Sequence, residues 1–455
     1  MWTPELDAAG PSYLAISRAL EADIRSGRLA EGARLPTHRA LARALGVNVG
    51  TVSRAYAEAQ RRGLLAGEVG RGTFVKRARR RALTPHPDAA GLVDLSVNVP
   101  LEEPAPDLRA ALRALADRAD LDAITHYREP NGSPRARAAG ARWLRHHGVS
   151  AAPEDVVVCN GSQHGILVAL AALAGPGECV LAEALAYPGF RAAARLLGLR
   201  VRGVAVDAHG LVPAALEAAC SDRPRLLYCT PALQNPTTAV LPAERRAAIV
   251  AIARAHDLAI VVDDVQAPML GSAAPSLASL APERVVTIGG ISKLLLPGLR
   301  TAFVAGPRER AARLAEIVWA STWMASPLGA EIASAWIEDG TADRLAVARA
   351  EEMRVRLALA RRILAGHRLC SQPGAYHVWL ELPGGRSAAS TADRLLREGV
   401  AVTPAEAFLA APGPAPEALR ISLSAPREVA TLARALETIA VAIRTVGDES
   451  ATVRL

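Results

Sequence analysis

Lysine is almost missing from this chain: two residues, against 51 arginines. Arginine supplies the surface cations, and arginine keeps its proton in any ordinary setting, so it cannot form an imine. A lysine can, and bonding to a carbonyl group is the main chemistry that requires one. Lys293 sits in Gly-Gly-Ile-Ser-Lys-Leu-Leu-Leu-Pro-Gly-Leu-Arg; composition alone leaves it open as a chance surface residue. Long apolar runs are also missing, so no bilayer-spanning segment is expected. The opening residues, Met1-Trp-Thr-Pro-Glu, carry neither a basic stretch nor an apolar one, so no secretory leader is expected. Cysteine is scarce: Cys159, Cys179, Cys220, Cys229 and Cys370 form no CxxC pair and keep no metal-like spacing from histidine. Reduced, buried thiols in a cytoplasmic protein without a metal site are the expectation.

What is present is 455 residues, 51% of them hydrophobic, which is globular and too long for one ordinary domain. The net charge of +8 is unevenly placed. Residues 1–82 hold 15 basic and 7 acidic side chains, and the remainder holds 38 of each. All the excess positive charge therefore lies in the first fifth, which suggests an N-terminal nucleic-acid-binding unit on a neutral body. A basic tail without specific function has the same composition.

Tyr13, Ile16, Leu20 and Ile24 recur at helical spacing before Gly27. Leu41, Ala44 and Leu45 predict a short second helix ended by Gly46. Val47 to Thr51 reads as a turn, and Val52, Ala55, Tyr56 and Ala59 as a third helix closing near Gly63. Leu64-Leu65, Gly67 to Gly72 and Thr73-Phe74-Val75 predict a hairpin. Three helices followed by a β wing make a winged helix-turn-helix. The stretch SGRLAEGARLPTHRALARALGVNVGTVSRAYAEAQRRGLLAGEVGRGTFV resembles the GntR-type DNA-binding domain, in which the recognition helix enters the major groove. The resemblance implies that Arg39, Asn48, Gly50, Thr51, Ser53 and Arg54 face double-stranded operator DNA and that Arg71 at the wing tip reaches the minor groove. Val49 departs from the polar residue common there, which points to a different base contact, such as a thymine methyl. Residues 1–76 are read as this head, and residues 77–91, basic and punctuated by proline, as a linker.

From residue 92 the pattern becomes short apolar strands alternating with Ala/Leu/Arg-rich helices: an α/β plan with a mostly parallel sheet. Strand candidates are Val156–Cys159, Cys179–Ala182, Leu226–Cys229, Ala259–Val262 and Val285–Ile288. The chemistry-bearing residues fall at strand ends, where such sheets bind ligands. Gly161-Ser162-Gln163 opens a helix and offers backbone N–H groups to an anion, or is a plain helix start. Asp263 ends an apolar run; pairing with a pyridine nitrogen, metal binding and helix capping all suit it. Tyr187 suits a ring stack or the core. Asn235 lies in a turn, and Arg300 can meet Lys293 across the Pro297-Gly298 bend.

In order, HYREPNGSPRAR, CNGSQ, EALAYPG, YCTPALQNPTT, IVVDDV, SKLLLPGLR and ALRISL resemble the fold-type I, class I/II aminotransferases. That resemblance implies pyridoxal 5'-phosphate bound at Lys293, with Asp263 on the pyridine nitrogen, Asn235 on the phenolic oxygen and Tyr187 stacked on the ring. Gly161, Ser162, Gln163, Ser292 and Arg300 would hold the phosphate, Tyr127 would reach in from a partner subunit, and Arg420 would take an amino-acid carboxylate. Two positions depart from the family: Gln266 stands where a tyrosine bonds the cofactor, and Gly290 where a phosphate-binding Ser or Thr is usual. The body is expected to comprise a large part, about 92–330, and a small C-terminal α+β part, about 331–455. A GntR-type head on such a body resembles the MocR subfamily of bacterial transcription regulators. The resemblance implies a cytoplasmic homodimer that senses a small amino compound, or pyridoxal phosphate itself, through the cofactor-bound body, with transamination slow or absent. An active aminotransferase with a fused DNA-binding domain, and a regulator that has lost the cofactor, are the alternatives.

Overall fold

The computed structural model describes residues 2–4, 13–25, 28–29, 33–61, 64–68, 72–75, 91–270, 275–384 and 386–444. The expected linker at 77–91, apart from Gly91, and Arg71 at the wing tip lie outside them.

The N-terminal unit has helices Tyr13–Arg25, His38–Leu45 and Val49–Arg61 and an antiparallel pair, Leu65–Glu68 with Gly72–Val75. Ile16, Leu20, Leu41, Val52, Ala55 and Tyr56 are fully buried in its core. Gly46, at φ +65°, ends the second helix in the left-handed region, where glycine carries no Cβ penalty. The connection is shorter than the expected Val47–Thr51 turn. Asn48 Oδ1 accepts the Gly50 N–H at 2.8 Å, capping a helix that already starts at Val49.

In the body a seven-stranded sheet runs in the order Val156–Cys159, Ala302–Ala305, Val285–Gly290, Ala259–Asp263, Leu226–Cys229, Cys179–Glu183, Arg200–Val204. The sheet is mostly parallel, as expected, with one exception: Ala302–Ala305 runs antiparallel to both neighbours. It returns directly after the Arg300 turn, with no helix to carry a crossover. Both faces are covered, so the strands read as continuous apolar runs. Val157, Val261 and Ile288 face one core with Ile166, Phe190 and Leu314. Val156, Ile260 and Val285 face the other with Trp143, Leu144 and Ile249.

A second, antiparallel sheet, Leu369–Cys370, His377–Glu381, Ala418–Ser422 and Thr403–Pro404, packs with helices Thr341–Ile363, Ala388–Arg397 and Val429–Arg444. Val93–Asp94, assigned above to the large part, pairs with Val400–Ala401 and so joins this C-terminal part. The chain thus enters the body beside its end.

Gly140 lies mid-helix in Pro134–Leu144 against the Ala302–Ala305 strand. An added Cβ would come 2.8 Å from Phe303 Cγ and 3.0 Å from Val156 Cγ1. Replacing glycine by alanine favours a helix by about 1 kcal/mol, whereas overpacking a core costs about 1–3 kcal/mol. Gly140→Ala is therefore expected to destabilise the body, seen as a lower urea midpoint at unchanged slope.

Candidate functional site

The carboxyl ends of the parallel strands open onto a cavity of about 190 Å³. Ser162, Gln163, Tyr187, Asn235 and Asp263 line it, as do Gln266, Ser292, Lys293, Arg300 and Arg420. Ten residues that the sequence scatters over 259 positions thus meet at one place.

Lys293 follows the strand Val285–Gly290, and its loop is pinned by the fully buried Ile291, Leu294 and Leu295. Its Nζ donates to the Asn98 carbonyl oxygen at 2.5 Å. Burial, then the nearby Arg420 and Arg300, lower its pKa to about 8, against the opposing pull of Asp263. Asp263 ends its strand buried. Its Oδ2 accepts from the Tyr228 hydroxyl at 2.6 Å, while its Oδ1 is buried without a partner. Burial raises this carboxyl to about 6, opposed by the Tyr228 bond and Lys293.

The helix Ser162–Leu173 starts at Gly161, φ +82°, and no side chain caps it. Its first N–H groups are therefore left for an anion. Gly161 itself is not part of the wall; a Cβ there would come within 2.8 Å of Arg300 Cζ, so its glycine makes room for that guanidinium. Ser292 Oγ is buried and unpartnered. The donor set of Ser292, Arg300 and the helix start suits a phosphate, and the vacant Asp263 Oδ1 suits a protonated ring nitrogen. These residues fit pyridoxal phosphate.

Gly290 explains itself here. A Cβ at that position would run into Ser162 Oγ and come 2.9 Å from Val265 Cγ1. The Ser162 hydroxyl thus occupies the space that a side chain at 290 would take. Gln163 turns its Nε2 to the Gly189 carbonyl at 2.8 Å rather than leaving that amide for an anion. Tyr127 is not brought to the cavity: it is 79% exposed, its ring 5.2 Å from that of Trp323. Arg420 is buried over the Phe408 ring at 4.9 Å. Its Nη1 donates to Asn235 Oδ1 at 3.1 Å and its Nη2 to the Ser96 carbonyl. Gln266 is buried, with Oε1 accepting the Tyr376 N–H at 3.0 Å.

Sequence reading missed Tyr228, Asn98 and Tyr376. Tyr228 left one signal: a phenol in a fully buried apolar strand needs a partner for its hydroxyl. In the head, Arg39, Asn48 and Gly50 are exposed, and Thr51 is half-buried. Ser53 is held by His38 Nδ1 at 2.9 Å, and the Arg54 guanidinium lies 4.6 Å over the Tyr13 ring. Arg54 is nonetheless exposed, as a guanidinium seated on a phenol face keeps its N–H groups.

Residues 90–439 match the family model for aminotransferase class I and II, and residues 12–75 that for bacterial regulatory proteins of the gntR family. The chain is 30% identical over 439 residues to the uncharacterized HTH-type transcriptional regulator YdeF of Bacillus subtilis, covering 96% of this chain and 95% of that one. It is 29% identical to the probable rhizopine catabolism regulatory protein MocR of Rhizobium meliloti, over 67% of each chain. Among solved structures, LysN, an alpha-aminoadipate aminotransferase of Thermus thermophilus complexed with N-(5'-phosphopyridoxyl)-L-leucine, superposes with a TM-score of 0.71. That likeness has 28% identity and covers 78% of this chain and 92% of that one.

An amine attacks a carbonyl only when unprotonated. With its pKa lowered to about 8, Lys293 of the cofactor-free protein is neutral above that pH. The rate of pyridoxal phosphate uptake, followed by visible absorbance, is expected to rise through about pH 8 and then level off. An ordinary lysine would keep the rate rising to about pH 10.4.

Proposed function

The chain belongs to the aminotransferase class I and II family and carries a gntR-family head, and from that pairing we propose that it is a DNA-binding transcriptional regulator of the MocR type, sensing an amino compound through pyridoxal phosphate. The observation that carries this reading is the one cavity where Lys293, the vacant Asp263 oxygen and an uncapped helix start converge, in a chain whose excess charge lies in a helix-turn-helix head.

Pyridoxal phosphate supplies a carbonyl that bonds amines and a ring that draws electrons when its nitrogen is protonated. Lys293 holds the carbonyl end. Asp263 Oδ1 keeps the proton on the ring nitrogen while Tyr228 secures Oδ2. Ser292, Arg300 and the N–H groups at Ser162 and Gln163 hold the phosphate, and Tyr187 lies against the ring. Arg420 draws the anionic group of the effector. Gln266 donates or accepts hydrogen bonds but titrates nowhere near neutral pH, so it moves no proton. The body accordingly senses rather than turns over. It works as a homodimer, in which Tyr127, exposed beside Trp323, reaches the partner's phosphate site. No described helix is long and apolar enough to cross a membrane, and the protein meets its DNA in the cytoplasm. Arg39, Asn48, Gly50 and Thr51 form the face toward that DNA.

Borohydride reduction of the holoprotein, followed by peptide mass mapping, is expected to place a phosphopyridoxyl group on the Lys293 peptide; its absence there would overturn the reading. Arg39→Ala is expected to weaken binding to a cognate DNA fragment by about 1–3 kcal/mol, measured at fixed salt. Mixing holoprotein with a panel of amino acids should give slow or no conversion to the pyridoxamine form; rapid, complete conversion would identify an aminotransferase instead.

A further inference from the structure

The turn that leads into the helix Ser162–Leu173 is held from behind by His164, a residue outside the cavity wall. A helical side chain leans toward the start of its helix, so His164, in the first turn, reaches back to Asn160. Its Nδ1 accepts the Asn160 N–H at 3.0 Å. Its Nε2 lies 2.8 Å from Ser321 Oγ. The Ser321 hydroxyl directs its one proton to the Ile317 carbonyl at 2.7 Å, so its oxygen accepts from Nε2. Both contacts therefore require a neutral ring with the proton on Nε2 and none on Nδ1. Asn160 is a junction. Its carbonyl accepts from Arg300 Nη2 at 3.4 Å. Its Oδ1 accepts the Ser326 N–H at 2.8 Å, and its Nδ2 donates to the Met324 carbonyl at 3.5 Å. Gly161 and Ser162 follow it directly, so Arg300 and the helix start are both fixed through this one residue.

We propose that His164 is a positioning residue: its bare Nδ1 latches Asn160 so that Arg300 and the helix start present a fixed seat to an anion, and a proton taken up at Nδ1 opens the latch. Under the functional reading above, on which this rests, the anion is the phosphate of pyridoxal phosphate. Protonation exchanges an acceptor for a donor, and two N–H groups cannot bond each other. The Asn160 N–H is then unpaired and the turn loses its anchor. Binding an anion needs the closed latch, so it favours the neutral ring and releases a proton where the free protein holds one. Affinity therefore falls as pH drops through the His164 pKa. Burial alone lowers that pKa from the usual 6.5, which puts the loss on the acid side. Charged and titratable groups on the elements packed against this helix are Cys159, Asp263, Arg191 and Arg195. The helix that carries Ser321 adds Arg308, Glu309, Arg310, Arg313 and Glu316, and Arg300 joins through Asn160. None of them contributes to the shift. A charged ring would by itself attract an anion, so charge and latch act with opposite signs.

The probe is 4'-deoxypyridoxine 5'-phosphate, which keeps the ring and the phosphate but has no carbonyl to bond Lys293. Its Kd for the full-length, cofactor-free protein is measured by calorimetry at about pH 7.5 and about pH 5. His164→Asn keeps an acceptor at the Nδ1 position and has no proton to gain there, whereas His164→Ala removes the acceptor. At the higher pH the Asn variant is expected to bind like wild type, and the Ala variant about fivefold more weakly, the worth of one ordinary hydrogen bond. At the lower pH wild type is expected to have lost about fivefold more affinity than the Asn variant, and so to approach the Ala variant. The charged groups of the cavity, Asp263, Lys293, Arg300 and Arg420, are the same in all three proteins. Equal losses in wild type and the Asn variant would overturn the latch, as would wild-type binding by the Ala variant at the higher pH. A wild type that gains on the Asn variant in acid would overturn it too, since the charge of the ring would then act on the anion and not its acceptor. If none of the three proteins binds the probe, the functional reading falls and the latch with it.

Discussion

Everything in the body turns on shifting one ammonium toward its neutral amine. Lys293 is half-buried near two guanidiniums, Arg300 and Arg420, with one carboxylate, Asp263, on the other side of the balance. Burial and like charge both favour the neutral amine. A lysine in water would hold its proton and be no nucleophile at neutral pH. The surrounding structure exists at a cost in desolvation, and the cost is shared: Arg420 is lowered to about 10 by its own burial and Asp263 is raised to about 6. Three ionisable groups are shifted toward their neutral forms in one cavity, which is where ligand chemistry is found more often than structural ion pairing.

The fold explains how such a cavity is held open. Asp263 ends, and Thr230 and Ser292 follow, parallel strands whose two faces are buried, so their backbones have little freedom. Arg300 is delivered differently. It occupies the left-handed region, φ +47°, at the end of the short turn Pro297–Leu299, directly before the antiparallel strand Ala302–Ala305. An arginine there is strained relative to glycine, and the position directs its guanidinium onto Gly161 at the helix start. The mixed sheet is thus part of the site: a parallel crossover would have taken the chain away from the helix whose N-terminus Arg300 supports.

Much of this plan is legible along the chain because doubly buried strands read as unbroken apolar runs. Val156–Cys159 and Leu226–Cys229 could be delimited to the residue, and Asp263 stood out as a carboxylate closing such a run. The antiparallel strand was not legible, since Ala-Phe-Val-Ala has the same apolarity in either direction. Partners across the fold were hidden as well. Tyr228 and Asp263 are 35 residues apart, and nothing in either segment says that the phenol takes one carboxylate oxygen and leaves the other. The head shows the same limit: nothing in the sequence around Arg54 says that its exposed guanidinium lies over the Tyr13 ring of the first helix.

The two departures from the aminotransferase pattern have opposite meanings once the neighbours are known. Gly290, which ends its strand, leaves the space that the Ser162 hydroxyl occupies, at a helix start whose N–H groups already favour an anion. Nothing comparable compensates Gln266. Its neighbour Tyr376 brings a second phenol close, but that hydroxyl is committed to the Lys293 carbonyl and that N–H to Gln266 itself. The phenol is also pushed up to about 12 by burial, out of range for proton transfer near neutrality. The site therefore retains what binding requires and lacks what proton transfer at that position requires.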